Sequence, residues 1–308
     1  MADRSSFKIE KSKLRVPEAE FFGPGARSCA GCGEILAVRH ALKAIGKNSI
    51  VVGATGCMEI ISSPYPESAW KTPWIHSLFE NAAAVASGAE GALKALGKSG
   101  IRVVVMAGDG ALADIGFGSV SGALDRKQNL TYILTDNEAY MNTGIQSSGM
   151  TPYGAWTTTT PVGDIKKGKE KTKKDLVRIM LGHGVKYIAT ASIAYPVDLV
   201  NKVKKAVSVD GPSFVHINCP CPVGWNFPSE KTIELARLAV DAGLWILYEV
   251  ENGVLEISHK PAKLKPVKEY LALQGRFRHL SDAQIEKIQS DCTKSYEGLL
   301  SRDGKSLI

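Results

Sequence analysis

Residues 102–137 read RVVVMAGDGALADIGFGSVSGALDRKQNLTYILTDN. An apolar run, 102–107, ends in Gly108-Asp109-Gly110, and a second, 131–135, ends in Asp136-Asn137. Between them, from Gly116 to Asp125, small and apolar residues recur at helical spacing. Runs apolar on both faces read as buried parallel strands, and a helix joining two of them makes a βαβ unit. The alternation continues outward, with strands expected at 50–54, 186–191, 214–218 and 244–250 and helices at 34–45, 82–96 and 195–208. This pattern predicts an α/β fold with a doubly wound, mostly parallel sheet, whose ligands gather at the carboxyl ends of the strands. Three segments are expected: an N-terminal arm (1–26), a sheet domain (27–252) and a polar C-terminal extension (253–308), helical from Asp282, that wraps a neighbour.

The 308 residues are 44% hydrophobic and 22% charged, the usage of a folded globular chain. The longest apolar stretches are about half of the ~18 residues needed to span a bilayer, so no membrane segment is expected. The opening MADRSSFKIEKSK has no apolar core of a signal peptide, which points to the cytoplasm. The formal charge of +7 concentrates in DIKKGKEKTKKD (164–175), which holds six lysines. Such a run ordinarily forms a solvated loop or helix start; its sharper reading is attraction of a phosphate-bearing cosubstrate. No aromatic residue is interleaved for stacking on bases, so nucleic acid is not the expected partner.

Two constellations carry chemistry. A lone Gly-Asp-Gly is a common turn. Followed by an Asn at the end of the next strand, it sets a carboxylate (Asp109) and an amide oxygen (Asn137) side by side, with a backbone carbonyl such as that of Ala139 nearby. That hard-oxygen set suits a magnesium ion holding a diphosphate, and the helix from Gly116 would aim its N-terminus at the same phosphates. Gly108, Asp109, Gly110, Asn137 and Ala139 are therefore cofactor-binding candidates, and the pattern resembles the thiamine-diphosphate motif.

The second constellation is the cysteines. Six in a chain without an export signal are too few for a disulfide scaffold. Cys29-Ala30-Gly31-Cys32-Gly33 brings two thiols together before a helix, while Cys57 and Cys221 each follow a strand candidate. An iron–sulfur cluster, a zinc site and structural thiols all remain open on spacing alone; ligands scattered over strand ends favour the cluster. Cys219 competes with Cys221 for the fourth place, and only one of the two is expected to face the cluster. Cys292 lies in the polar tail.

The longer motifs are recognisable. CAGCG, ATGCMEI, PWIHSLFENAAA (73–84), GDGALADIG, DNEAYMNTGIQSS (136–148), TPYGAWTTTTP (151–161) and CPCPVGW resemble the β subunit of 2-oxoacid:ferredoxin oxidoreductases, above all the pyruvate-oxidising ones. The resemblance implies that Cys29, Cys32, Cys57 and Cys221 hold a 4Fe-4S cluster, and that Asp109, Asn137 and Ala139 hold Mg2+ on thiamine diphosphate, with Gly56 and Cys57 beside it. Asn142 is implied at the substrate, with Ile60 and Phe117 as apolar contacts, Phe117 reshaping the pocket. Thiamine would store the electrons left by departing carbon dioxide, and the cluster would remove them, where a plain decarboxylase would return a proton. Further subunits are implied, carrying the pyrimidine-binding domain, the coenzyme A site and ferredoxin-like clusters, with ferredoxin as electron carrier. Ala111–Phe117 and Gln146–Met150 depart from the usual pattern, so pyruvate is expected first, with oxalate and larger 2-oxoacids behind it. A non-redox thiamine decarboxylase and a basic zinc-binding nucleic-acid module are the alternatives from other classes. His76 reads as a satisfied core residue rather than an acid–base group, and Trp156 as part of a loop shaping the site.

Overall fold

Eight strands alternate with helices along the chain and join one sheet in the computed structural model, which describes residues 16–64, 66–165 and 167–307. Residues 1–15 of the expected arm and Lys166 of the basic run lie outside the described residues. The strands are β1 Ser49–Ala54, β2 Trp74–Ser77, β3 Arg102–Gly108, β4 Leu130–Asp136, β5 Tyr187–Ser192, β6 Ser213–Asn218, β7 Tyr248–Glu251 and β8 Val254–Ile257. Their order is β2-β1-β3-β4-β6-β5-β7-β8, with β1 to β6 parallel and β7 and β8 antiparallel at one edge. The α-helices are α1 Gly33–Ile45, α2 Cys57–Ser62, α3 Ala82–Ala95, α4 Phe117–Asp125, α5 Leu176–Gly182, α6 Pro196–Ser208, α7 Pro222–Trp225, α8 Thr232–Asp241, α9 Val267–Ala272 and α10 Asp282–Leu300.

Both sheet faces are covered, which explains strands that are apolar all round. One core packs α3, α4 and α5 against β3 and β4; the other packs α1 and α6 on the opposite face. α6 shows how the sequence selects its side: Pro196 starts it, and Leu199, Val200, Val203 and Ala206 form the inward stripe. A third core gathers α8, α9 and α10 around Trp225 and Trp245. The register sets the working edge. Gly108 pairs with Thr135, and Asp136 pairs with Asn218, so β3, β4 and β6 finish level and release their loops side by side.

Several expectations change. The strand expected at 244–250 is only Tyr248–Glu251 and is antiparallel; residues 244–247 are irregular, and there Trp245 Nε1 donates to the Ala191 carbonyl at 2.9 Å. β2, β8, α5 and α8 are too short or too mixed in composition to stand out in sequence. Helical chain begins not at Gly116 but at Gly110, as one π-helical stretch Gly110–Ile115 running into α4. The helix expected at 82–96 is present as Ala82–Ala95 and buries Ala82, Ala83 and Ala86. The C-terminal stretch packs on its own chain: β8 extends the sheet, and α9 and α10 close the third core. The capping box Ser281/Gln284 fixes where α10 starts. Among the described residues no helix is long and apolar enough to cross a membrane.

Candidate cofactor and thiol site

A cleft of about 200 Å³ opens at the carboxyl edge, between the loops that follow β1, β3 and β4. Its walls include Glu34, Gly56, Cys57, Gly108–Gly110, Asn137, Ala139 and Asn142. The two sequence constellations therefore meet. A pocket enclosing a small ligand usually holds roughly 300–1,000 Å³, so this cleft is smaller than the usual ligand pocket. A larger cavity of about 790 Å³, between α5 and α10, has Lys173 and His216 in its wall but none of the candidate ligands.

At the cleft floor the Asn137 amide faces Asp109 Oδ1 at 3.2 Å and the Ala139 carbonyl at 2.8 Å. Turned with its NH2 inward, the amide bridges both. Turned the other way, it donates to Glu34 Oε2 at 3.4 Å and leaves three oxygens facing one another, a cluster that a cation satisfies. Burial, followed by the charge of neighbouring Asp136, pushes the Asp109 carboxyl well above the ordinary range. A divalent cation would reverse that, so the donor set fits magnesium. Ser148 Oγ donates to the other Asp109 oxygen.

The β4 loop is bolted to the β3 loop. Gly149 N donates to Asp114 Oδ2 at 2.7 Å, Tyr140 OH donates to the same oxygen at 3.2 Å, and Thr151 Oγ1 donates to the Glu138 carbonyl at 2.6 Å. Gly110 must be glycine, because a Cβ there would stand 2.6 Å from Tyr140 Cδ1.

The thiols lie beside this floor. Cys32 N donates to the Cys29 carbonyl at 3.2 Å, closing the C-x-x-C turn. Gly33 N donates to the Pro220 carbonyl at 3.1 Å, pinning the start of α1 to the loop after β6. A Cβ on Gly33 would sit 2.6 Å from that carbonyl oxygen, so the approach requires glycine. Cys29 is exposed, and Cys32, Cys57 and Cys221 are half-buried. Burial, then the Glu34 charge, pushes the Cys32 thiol up to about 12 and raises Cys57 further, with Cys221 adding to both. Cys221 is raised by burial and feels Cys29. Thiols that discourage one another's ionisation are a set that needs a metal to become thiolates. The donor chemistry thus fits a thiolate-bound cluster, although no three His, Cys, Asp or Glu side chains among the described residues form a ready single-ion site. Cys219 and Cys292 point elsewhere: both are buried, their thiols on the Ile217 (3.4 Å) and Ala242 (3.1 Å) carbonyls.

Other expectations fare differently. Ile60 stands 53% exposed on α2, outside the cleft lining. Phe117 also lies outside that lining, its ring 6.2 Å from His183, so it does not narrow the cleft. His76 is an exposed residue rather than a core one, stacked on Trp74 and bonded to Thr55 Oγ1 at 2.7 Å. Trp156 is tied by its N–H to the Arg276 carbonyl at 2.9 Å. The basic run is not simply a solvated loop. Lys169 donates to the Ser148 carbonyl (2.6 Å) and Lys174 to the Ala113 carbonyl (2.6 Å), while Lys173 reaches Asp136 (3.5 Å) and Glu138. Burial brings Lys169 down to about 8.

Glu34 was absent from the sequence candidates. It is 4% exposed, accepts from Thr135 Oγ1 at 3.0 Å, and stands between the oxygens and the thiols. Its place on the apolar stripe of α1, with Ala37, Val38 and Ala41, was the available signal. Ser148 and Arg276 left none.

The fold and floor define a thiamine-diphosphate-binding domain. The family model "Thiamine pyrophosphate enzyme, C-terminal TPP binding domain" matches residues 54–217. The pyruvate synthase subunit PorB of Methanothermobacter thermautotrophicus is 55% identical, over 90% of this chain and 96% of its own. The ketoisovalerate oxidoreductase subunit VorB of Pyrococcus furiosus is 46% identical over 94% and 95%. The 2-oxoglutarate:ferredoxin oxidoreductase of Magnetococcus marinus, solved with 2-oxoglutarate, coenzyme A and succinyl-CoA, superposes with a TM-score of 0.55 at 25% identity, covering 77% of this chain and 84% of that one. The chain belongs to the 2-oxoacid:ferredoxin oxidoreductases, as their thiamine-diphosphate-binding subunit. The nucleic-acid module and the non-redox decarboxylase are thereby set aside.

Proposed function

We propose that this subunit serves the oxidative decarboxylation of pyruvate to acetyl-coenzyme A and carbon dioxide, two electrons leaving singly for ferredoxin. The observation that carries the reading is the meeting, at one sheet edge, of the Asp109–Asn137–Ala139 oxygens with the loops bearing Cys29, Cys32, Cys57 and Cys221. When bound, thiamine diphosphate supplies the carbanion chemistry of decarboxylation, and a 4Fe-4S cluster supplies one-electron transfer. Asp109, Asn137 and the Ala139 carbonyl would hold Mg2+ and through it the diphosphate, while Gly108, Gly110 and Gly56 let backbone approach closely. Asn142, in the cleft wall beside Cys57, would orient the substrate. The four cysteines would hold the cluster.

Residues 27–252 form the cofactor domain in this reading, with 1–26 as arm and 253–308 as extension. Further subunits would bring the pyrimidine domain, the coenzyme A site and additional clusters. The small cleft supports this, as do Ile60, Leu78, Ile115 and Val223, each more than half exposed on the segments that follow β1, β2, β3 and β6 at the carboxyl edge. Exposed apolar side chains collected on one edge suit burial against a partner. The VorB likeness favours one second reading, a branched 2-oxoacid.

Viologen reduction by the anaerobically purified complex, with pyruvate, 2-ketoisovalerate and oxalate compared, tests the substrate. Reduction by pyruvate is expected to be fastest; reduction by another acid and not by pyruvate would refute the assignment. Asp109→Ala is expected to abolish thiamine diphosphate binding and leave iron content and brown colour intact. Loss of both together would mean that the two sites are not separate.

A further inference from the structure

The residue between the magnesium-ligand candidates, Glu138, has a left-handed backbone, φ 70°. A non-glycine residue keeps that conformation only where its surroundings hold it. Its polar atoms are all engaged. The N–H donates to Asp136 Oδ1 at 2.9 Å, the carbonyl accepts from Thr151 Oγ1 at 2.6 Å, and the carboxylate meets Lys173 on one oxygen and Arg276 NH2 at 2.5 Å on the other.

Arg276 comes from the C-terminal stretch and is 3% exposed. Its guanidinium lies 3.9 Å above the Trp225 ring, and Trp225 Nε1 donates to the Asn137 carbonyl at 2.8 Å. Arg276 thus holds the loop at two points, Glu138 directly and Asn137 through Trp225. Its own place is fixed by Nε donating to Gln274 Oε1 at 2.9 Å and by Gly275 N donating to the Asn226 carbonyl at 2.9 Å. A planar donor fork with a stacking face does both tasks; a lysine ammonium could do only the first.

We propose that Arg276 is a positioning residue: it clamps the Asn137–Ala139 loop so that the loop's oxygens meet Asp109, and so sets the affinity for magnesium and thiamine diphosphate. This rests on the reading of those oxygens as the magnesium site. A merely structural ion pair would change the unfolding temperature and leave cofactor affinity alone.

The test uses the assembled oxidoreductase complex, stripped of magnesium and thiamine diphosphate and then titrated with thiamine diphosphate at fixed Mg2+. Bound cofactor is measured by rapid filtration, beside iron content and unfolding midpoint. Arg276→Met is expected to raise the half-saturating concentration about tenfold or more, since a charge-assisted bond is lost. Arg276→Lys should recover part of that, and Arg278→Met, which removes an exposed charge from the same segment, should change nothing. If Arg276→Met does not assemble, Trp225→Phe, which removes the Nε1 donor together with part of the ring stacked under Arg276, should weaken binding about threefold or more. Unchanged half-saturation in Arg276→Met, or in Trp225→Phe where that variant must stand in, overturns the proposal, whatever happens to the unfolding midpoint. Asp109→Ala in the same assay separates the layers. If it binds normally, the site reading itself fails; if it loses cofactor while Arg276→Met does not, only the clamp fails.

Discussion

Glu34→Gln should make the chain more stable above neutral pH. Glu34 is buried with hydroxyl and amide partners and no cation against it, and burial lifts its carboxyl from 4.5 to about 7. The folded state then holds a proton that the unfolded state releases across that interval. The stability linked to Glu34 is therefore complete below the unfolded value and declines as pH rises toward about 7. At about 1.4 kcal/mol per pKa unit the loss levels off at about 3 kcal/mol. Full burial means that little solvent screening reduces this figure. Gln keeps the shape and an oxygen for the Thr135 hydroxyl but never ionises. Urea unfolding of the chain alone, at half-unit steps from pH 4.5 to 8.5, should show the variant gaining on the parent by about 3 kcal/mol toward the alkaline end, or ~5 °C in a melt of a chain this size. A second signature is faster alkylation of Cys32 and Cys57, because the Glu34 charge helps keep both thiols protonated. Parallel stability profiles for the two proteins would refute the reasoning, since they would mean that Glu34 titrates as an ordinary solvated carboxyl.

The cysteine assignment separates two neighbours. Cys221→Ala should lose cluster iron, whereas Cys219→Ala should keep it and lose only ~1–2 kcal/mol of packing around a fully buried thiol; iron analysis with a urea titration decides, and the opposite pattern would exchange their roles. Gly110→Ala puts a Cβ into the Tyr140 ring. Displacing that ring should cost ~1–3 kcal/mol and weaken thiamine diphosphate binding about tenfold, which a binding titration beside a thermal melt would register; wild-type affinity would mean that Tyr140 moves aside freely.

The carboxyl edge also explains how one subunit couples two kinds of donor. Parallel strands deliver every following loop to the same side, so an oxygen pair from β3 and β4 and thiols from β1 and β6 need no special long-range device to become neighbours. The start of α1 is the exception. Cys29 and Cys32 precede the first strand, and the Gly33–Pro220 hydrogen bond brings them in. Glu34 follows at once, on the first buried turn, so the thiols and the floor of oxygens share one carboxyl between them.

What the sequence determined by itself is the part written in local periodicity: apolar runs of strand length, helical spacing between them, and turn residues at strand ends. Those features place Asp109, Asn137, Cys57 and Cys221 at one edge, because a right-handed parallel sheet leaves no other place for them. The tertiary structure decided whatever depends on partners far away in the chain. Glu34 meets Thr135 across 101 residues, and Arg276 meets Glu138 across 138, pairings that no window of sequence displays. The lysine run looked solvated because composition alone cannot tell which lysines find a carboxylate; Lys173 does, in Asp136 and Glu138. Ile60 and Phe117 carried motif positions without their surroundings, and the packing of α2 and α4 turned the first outward and the second onto His183. Backbone pattern is local and survives in the sequence, whereas a buried charge is set by its three-dimensional neighbours and becomes legible only when the chain has folded.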